Sequence, residues 1–162
     1  MDAVKVFKIH PDARLPYRAS DEAAGYDICA VEGFSLKPGE RVVVPTGLVI
    51  QPPPGYHFEI LDRSGMAFKH NIMLINGVGL VDRDYAGEKD EVKVMLYRAP
   101  LVWFGGTLAN VFAKGNIDPV SFEPGERVAQ IVFRKTYVPD IVEVSQAPKE
   151  IDRGGLGSTG TK

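Results

Sequence analysis

The 162-residue chain has one cysteine, Cys29, so it forms no internal disulfide and needs no oxidising compartment. No apolar run approaches the ~20 residues needed to span a bilayer. The first residues lack the basic-then-apolar pattern of a secretory signal, so a soluble, cytoplasmic protein is expected. Charge of one sign is also missing. With 19 basic and 21 acidic residues the net charge is -2, which argues against a general nucleic-acid binder. A small anionic ligand, by contrast, needs only a few local arginines. The three histidines, His10, His57 and His70, show no metal-ligand spacing, so no directly bound zinc is expected. No low-complexity linker divides the chain, and its length suits one domain with a full core.

What is present is frequent turn punctuation. The 17 glycines and 12 prolines separate short β-branched runs, which points to an all-β sandwich or barrel. Strands are expected within residues 3–9, at Arg41 to Val44, Tyr56 to Leu61, Glu91 to Tyr97 and Arg127 to Phe133. A last strand is expected from Tyr137 to Val144, broken at Pro139. Residues 20–28 read as a loop entering a strand. One short helix is predicted over Ser64 to His70, with Ser64 as its N-cap. A phrase recurs: Phe34-Ser35-Leu36-Lys37-Pro38-Gly39-Glu40-Arg41-Val42 is answered by Val120-Ser121-Phe122-Glu123-Pro124-Gly125-Glu126-Arg127-Val128. Each Pro-Gly pair fits a type II turn, and the two phrases read as related hairpins. The last residues, Glu150 to Lys162, are polar and glycine-rich and read as a flexible tail.

Several motifs suggest chemistry. Asn76 to Glu88 is expected to be a hairpin in which glycines let the backbone approach a ligand, with Asp82, Asp84 and the Tyr85 ring close by. Arg63-Ser64-Gly65 at a helix start is either an anion site or an ordinary cap. Gln130, an amide within an apolar strand, either faces solvent or has a specific partner. Gly155-Leu156-Gly157-Ser158-Thr159-Gly160 formally matches the dinucleotide-binding glycine pattern, but the chain ends two residues later, with no helix and no acidic residue to follow. What remains of that match is a glycine tail with two hydroxyls and Arg153, suited to wrapping a polyphosphate.

Taken in order, five stretches resemble the motifs of trimeric dUTP diphosphatases (dUTPases). They are Ala24-Gly25-Tyr26-Asp27-Ile28, Arg63-Ser64-Gly65-Met66-Ala67, Gly79-Leu80-Val81-Asp82-Arg83-Asp84-Tyr85-Ala86-Gly87, Gly125-Glu126-Arg127-Val128-Ala129-Gln130 and Arg153-Gly154-Gly155-Leu156-Gly157-Ser158-Thr159-Gly160. The resemblance implies a jelly-roll β domain over residues 1–149, with a longer loop or extra hairpin at about 99–118. It also implies a tail, 150–162, that closes an active site. The family's homotrimer builds each site jointly: motifs one, two and four come from one subunit, the third from a neighbour and the tail from the remaining one. The implied reaction is Mg²⁺-dependent hydrolysis of dUTP to dUMP and pyrophosphate, which limits uracil incorporation into DNA and supplies dUMP for thymidylate synthesis.

By the same resemblance Asp82 is the general base for the attacking water. Arg63, Ser64, Gly65 and Gln130 contact the phosphates, and Arg153, Gly157, Ser158 and Thr159 close over them. Asn76 and the backbone around Gly79 and Val81 read uracil, Tyr85 packs on the sugar, and Leu156 covers the base. Asp27 acts on Mg²⁺ through water, the ion being otherwise held by the triphosphate. Asp84 has no chemistry of its own. The nearest alternative is a dCTP deaminase of the same fold, but its different glutamate arrangement is not seen. A weakly catalytic dUTP-binding regulator is the other alternative, and the intact Asp82 argues against it.

Two features depart from the family pattern. Residues 99–118, with Trp103, Phe104 and Phe112, lengthen the connection between the third and fourth motifs and pack as an added hairpin or bind a partner. The tail motif is two residues shorter than usual and has Leu156 where a phenylalanine stacks on uracil. Leu156→Phe is therefore expected to leave dUTP turnover equal or higher. A large loss would show that the tail closes in another way.

Overall fold

The computed structural model describes residues 3–100 and 118–149. Eleven strands and one helix follow in order: β1 (Lys5–Lys8), β2 (Tyr26–Cys29), β3 (Phe34–Leu36), β4 (Arg41–Pro45), β5 (Leu48–Gln51), β6 (Tyr56–Leu61), α1 (Ser64–His70), β7 (Ile72–Leu74), β8 (Gly79–Val81), β9 (Lys93–Arg98), β10 (Val120–Phe122) and β11 (Arg127–Lys135). Every strand pairing is antiparallel. The order β2-β11-β6-β8 makes a four-stranded sheet and β4-β9-β7 a three-stranded one, with β1-β5 and β10-β3 as two-stranded ribbons. The all-β class with one short helix is as expected. Among the described residues no helix is long and apolar enough to cross a membrane.

Alternation along the strands puts one face of each sheet into a shared core. In β9, Val94 and Leu96 point inward at 0% and 2% exposure while Met95 between them is exposed. Ile28, Val44, Leu48, Ile50, Phe58, Ile72 and Ile131 fill the same core, each fully buried. Burying a side chain the size of Phe58 stabilises the fold by roughly 1.5–3 kcal/mol.

The repeated phrase recurs in its bonds. Gly39 and Gly125 have φ of 86° and 84°, the positive value a type II turn requires. In each turn the glutamate after the glycine bonds back to the residue before the proline: Lys37 N donates to Glu40 Oε2 at 2.8 Å, and Glu123 N to Glu126 Oε2 at 3.0 Å. The phrases are not hairpins, however. β3 pairs with β10, so the two copies join each other, with Phe34 stacked on Phe122 at 4.7 Å. Each turn then carries its chain into a different sheet.

Three further expectations are corrected. Asn76 to Glu88 is not a hairpin, because β7 pairs with β9 and β8 with β6; the turn is an arch between sheets. Ser64 is the first residue of α1 rather than its cap; Arg63 is the N-cap, and no side chain caps there. Tyr137 to Val144 forms no strand. Tyr137, Val138, Ile141, Val142 and Val144 are all exposed, and among the described residues no strand edge pairs with them. Of residues 99–118, 101–117 lie outside the described residues, as does the tail from Glu150.

Gly47 links β4 to β5 with φ 68°, and a Cβ there would lie 2.8 Å from both Ala13 Cβ and His10 Cβ. Gly47→Ala is expected to cost at least about 1–2 kcal/mol, the left-handed penalty before any overlap, read as a lower urea midpoint. At the end of α1, His70 meets the Phe122 ring edge-on at 5.7 Å. Burial, then the positive Arg98 and Lys69, push its pKa below the ordinary histidine value. The folded state therefore disfavours its protonation. This contribution is complete above the ordinary value and is lost as pH falls through the folded one. The melting temperature should drop on acidification from about pH 7 to 5, and His70→Gln should flatten that slope.

Candidate functional site

Asp27 on β2 is 2% exposed, and its carboxylate is the meeting point of three side chains. Arg63 Nε donates to Oδ1 at 2.9 Å, Arg127 Nη1 to Oδ2 at 3.1 Å and Gln130 Nε2 to Oδ1 at 3.3 Å. Arg63 Nη1 also donates to the Arg127 carbonyl at 3.2 Å. The partner that Gln130 needs is thus Asp27. The carboxylate raises the pKa of Arg127 through its hydrogen bond and its charge. Cys29, two residues along β2, is buried, and burial pushes its thiol up, which leaves it a poor nucleophile.

A local irregularity makes this convergence possible. Residues three apart on a regular strand point to opposite faces, so Arg127 and Gln130 should not reach one acid. Arg127 pairs with Cys29 and Ala129 with Ile28, so two steps on β11 match one on β2. This bulge at Val128 reverses the facing of everything before it. Val128 and Ala129 are consecutive and both buried, at 1% and 0%.

The two arginines face a polar cleft of about 670 Å³, lined also by Arg14, Gly65, Lys69, His70 and Glu126. Ser64 is exposed at the start of α1. The Asn76 arch lines a separate cleft of about 370 Å³ with Gly79, Val81, Asp82 and Tyr85, backed by Ile60, Val43 and Met95. Here Gly77 has φ 70°, and Val78 N bonds to the Asn76 carbonyl at 2.8 Å. Gly79 lies against Ile60 so closely that a Cβ would come within 3.0 Å of Ile60 Cβ. Tyr85 is held by its hydroxyl, which donates to the Glu91 carbonyl at 3.2 Å. Asp82 and Asp84 are exposed. Among the described residues neither carboxylate is engaged in a side-chain hydrogen bond.

The residues expected from the sequence therefore fall into two groups. Arg63 and Gln130 meet at Asp27, Gly65 lines the polar cleft beside Arg63, and Asn76, Gly79, Val81, Asp82 and Tyr85 share the other cleft. Neither cleft contains a member of the other group. Arg153, Leu156, Gly157, Ser158 and Thr159 lie outside the described residues. Arg127 was missed as a site residue although its motif was noticed; the signal was a strand with arginine and glutamine three apart on either side of Val128-Ala129.

Asp27 does not fit the expected Mg²⁺ role. Its carboxylate is buried, both oxygens accept from cationic or amide donors, and a dication there would face two guanidinium groups. Among the described residues no group of three or more His, Cys, Asp or Glu side chains is placed to hold a metal.

A profile of the dUTPase family matches residues 11–100. The deoxyuridine 5'-triphosphate nucleotidohydrolase of Wolinella succinogenes is 34% identical over 158 residues, covering 97% of this chain and 93% of that one. The fowlpox virus enzyme of the same name is 36% identical over the whole of both chains. In three dimensions the dUTPase of Staphylococcus bacteriophage 80alpha, bound to dUpNHpp, superposes with a TM-score of 0.77 over 99% of each chain at 23% identity, a likeness of jelly-roll fold. The profile match covers more than half of the chain and the relatives nearly all of it; the chain belongs to the dUTPase family.

Proposed function

We propose that this chain hydrolyses dUTP to dUMP and pyrophosphate. The observation that carries the reading is the division of labour between the two clefts. One offers cations, the other open backbone and a carboxylate, and a nucleoside triphosphate needs both. Among the described residues β8 is the last strand of its sheet, and no other strand pairs with its outer edge. Gly79 and Val81 lie on that strand and Asn76 lines the same cleft, a setting that suits the donor and acceptor pattern of uracil. In this reading the Tyr85 ring packs on deoxyribose and leaves no room for a 2′-hydroxyl, and its tie to the Glu91 carbonyl supports a fixed ring.

The chemistry assigned to Asp82 is general base. Its carboxylate takes a proton from water as the water oxygen attacks the α-phosphorus. The bond from that phosphorus to the α–β bridging oxygen breaks, and pyrophosphate leaves. Phosphoryl transfer of this type depends mainly on positioning and charge neutralisation. Arg63, Ser64, Gly65 and Gln130 supply these for the phosphates, and Arg153, Gly157, Ser158 and Thr159 complete them from the tail, with Leu156 over the base. The substrate in this reading is the Mg²⁺ complex of dUTP, with the ion carried on the triphosphate.

The reading includes a homotrimer with shared sites. Asp82 and Arg63 line different clefts of one chain, which supports a site completed by a second copy. The exposed, unpaired stretch from Tyr137 to Val144 suits a segment that lies on another copy and delivers the tail there.

Pyrophosphate release from dUTP tests the proposal. Asp82→Asn should lower turnover by roughly 10²–10⁴-fold while dUTP binding is kept. Wild-type protein that binds dUTP and releases no pyrophosphate would overturn it.

A further inference from the structure

Tyr85 stands on the Asn76 arch, yet the arch does little to fix it. The residue is 44% exposed, and its own N–H reaches the Asp82 carbonyl only at 3.3 Å. The tie that leaves the arch is the hydroxyl, which donates to the Glu91 carbonyl at 3.2 Å. Glu91 in turn is clasped to the turn between β4 and β5. Gly47 N donates to Glu91 Oε1 at 2.8 Å, and Val92 N donates to the Leu48 carbonyl at 2.8 Å. Val92 N and the Glu91 carbonyl belong to one peptide unit, and in a trans peptide the two groups point opposite ways. This unit therefore holds β5 on one side and Tyr85 on the other.

The turn is a firm anchor. Thr46, 1% exposed, donates from its hydroxyl to the Val92 carbonyl at 2.6 Å, and Ile9 N donates to the Gly47 carbonyl at 2.9 Å. The Glu91 side chain is only 13% exposed, and its second oxygen lies 3.6 Å from Lys93 Nζ. We infer that Glu91 is a positioning residue for sugar discrimination: its carboxylate, bound to Gly47 N, holds its own carbonyl where the Tyr85 hydroxyl meets it. This rests on the dUTP reading above, in which Tyr85 packs on the sugar. A ring excludes a 2′-hydroxyl only while it stays in place, and a half-exposed ring free to change rotamer yields to one. The choice between deoxyribose and ribose thus depends on a side chain that need not touch the nucleotide.

The test is equilibrium binding of dUMP and of UMP to the full-length protein by calorimetry, read as the ratio of the two dissociation constants. Wild-type protein should prefer dUMP. Glu91→Ala should lower that preference by about fivefold or more, with UMP binding unchanged or tighter. Glu91→Gln keeps an oxygen for Gly47 N and should stay within about twofold of wild type. In a Tyr85→Phe background, where the hydroxyl is already gone, Glu91→Ala should change the ratio no further, because the two residues act through one bond.

A merely structural role for Glu91 would weaken both nucleotides in proportion, and a ratio left unchanged by Glu91→Ala overturns the inference. If Glu91→Ala does not fold, Glu91→Asp, one methylene short of Gly47 N, decides in its place. Wild-type protein that releases pyrophosphate from dUTP but binds dUMP and UMP alike also overturns the inference and leaves the functional reading standing. Wild-type protein whose preference for dUMP is lost in Glu91→Ala, yet which releases no pyrophosphate from dUTP, supports the inference and overturns the functional reading.

Discussion

One buried carboxylate organises the side chains beside the polar cleft. Asp27 sits under two arginines and a glutamine from two other parts of the chain: Arg63 from the N-cap of α1 just after β6, Arg127 and Gln130 from β11. A charge this deep is tolerated only when it is paired and hydrogen-bonded. The requirement runs both ways. The arginines and the glutamine occupy both Asp27 oxygens inside the sheet, and Asp27 keeps the arginines together despite their mutual repulsion. The β2–β11–β6 order is what brings the three strands side by side, so sheet topology and site electrostatics are one constraint.

The other half of the site depends on an edge. β8 is short, lies at the rim of the four-stranded sheet and is reached through an arch that crosses from one sheet to another. Exposed edges invite unwanted pairing. Here the exposed groups are confined to three residues, Gly79–Val81, and Gly79 is pressed onto Ile60 with no space for a side chain. The backbone can thus be offered to a planar ligand in a fixed position. Asp82 follows directly, which places a solvent-exposed acid one residue beyond that edge.

Expectation and structure agree where the information is local and part where it is not. The positive φ of Gly39 and Gly125 follows from Pro-Gly chemistry, and the inward Val92, Val94 and Leu96 follow from period-two alternation. The hairpins were misread because turn chemistry says that the chain reverses, not which strand it then joins. β3 and β10, some eighty residues apart, turned out to be partners. Tyr137 to Val144 has the composition of a strand, and its β-propensity is real. Propensity alone forms no ladder without an edge to pair with, and the described residues offer it none. Ser64 has the chemistry of a cap, yet the extended backbone is at Arg63 (φ -94°, ψ 125°), so the helix starts one residue earlier than cap chemistry suggests.

The sequence by itself determined the all-β class, the positions of β1, β4, β6, β9, β11 and α1, and the motifs that carry the family resemblance. These follow from side-chain periodicity, turn chemistry and motif order, all properties of neighbours in the chain. Only the tertiary structure decided that Asp27 faces arginines, that Arg127 belongs to the site, and that the base-side and phosphate-side residues occupy separate clefts. The facing of Arg127 turns on a single extra residue at Val128, and a bulge forms only when two strands with mismatched partners pair. Contacts across β2, β6 and β11 are set by how the sheet closes, which no local stretch of sequence encodes.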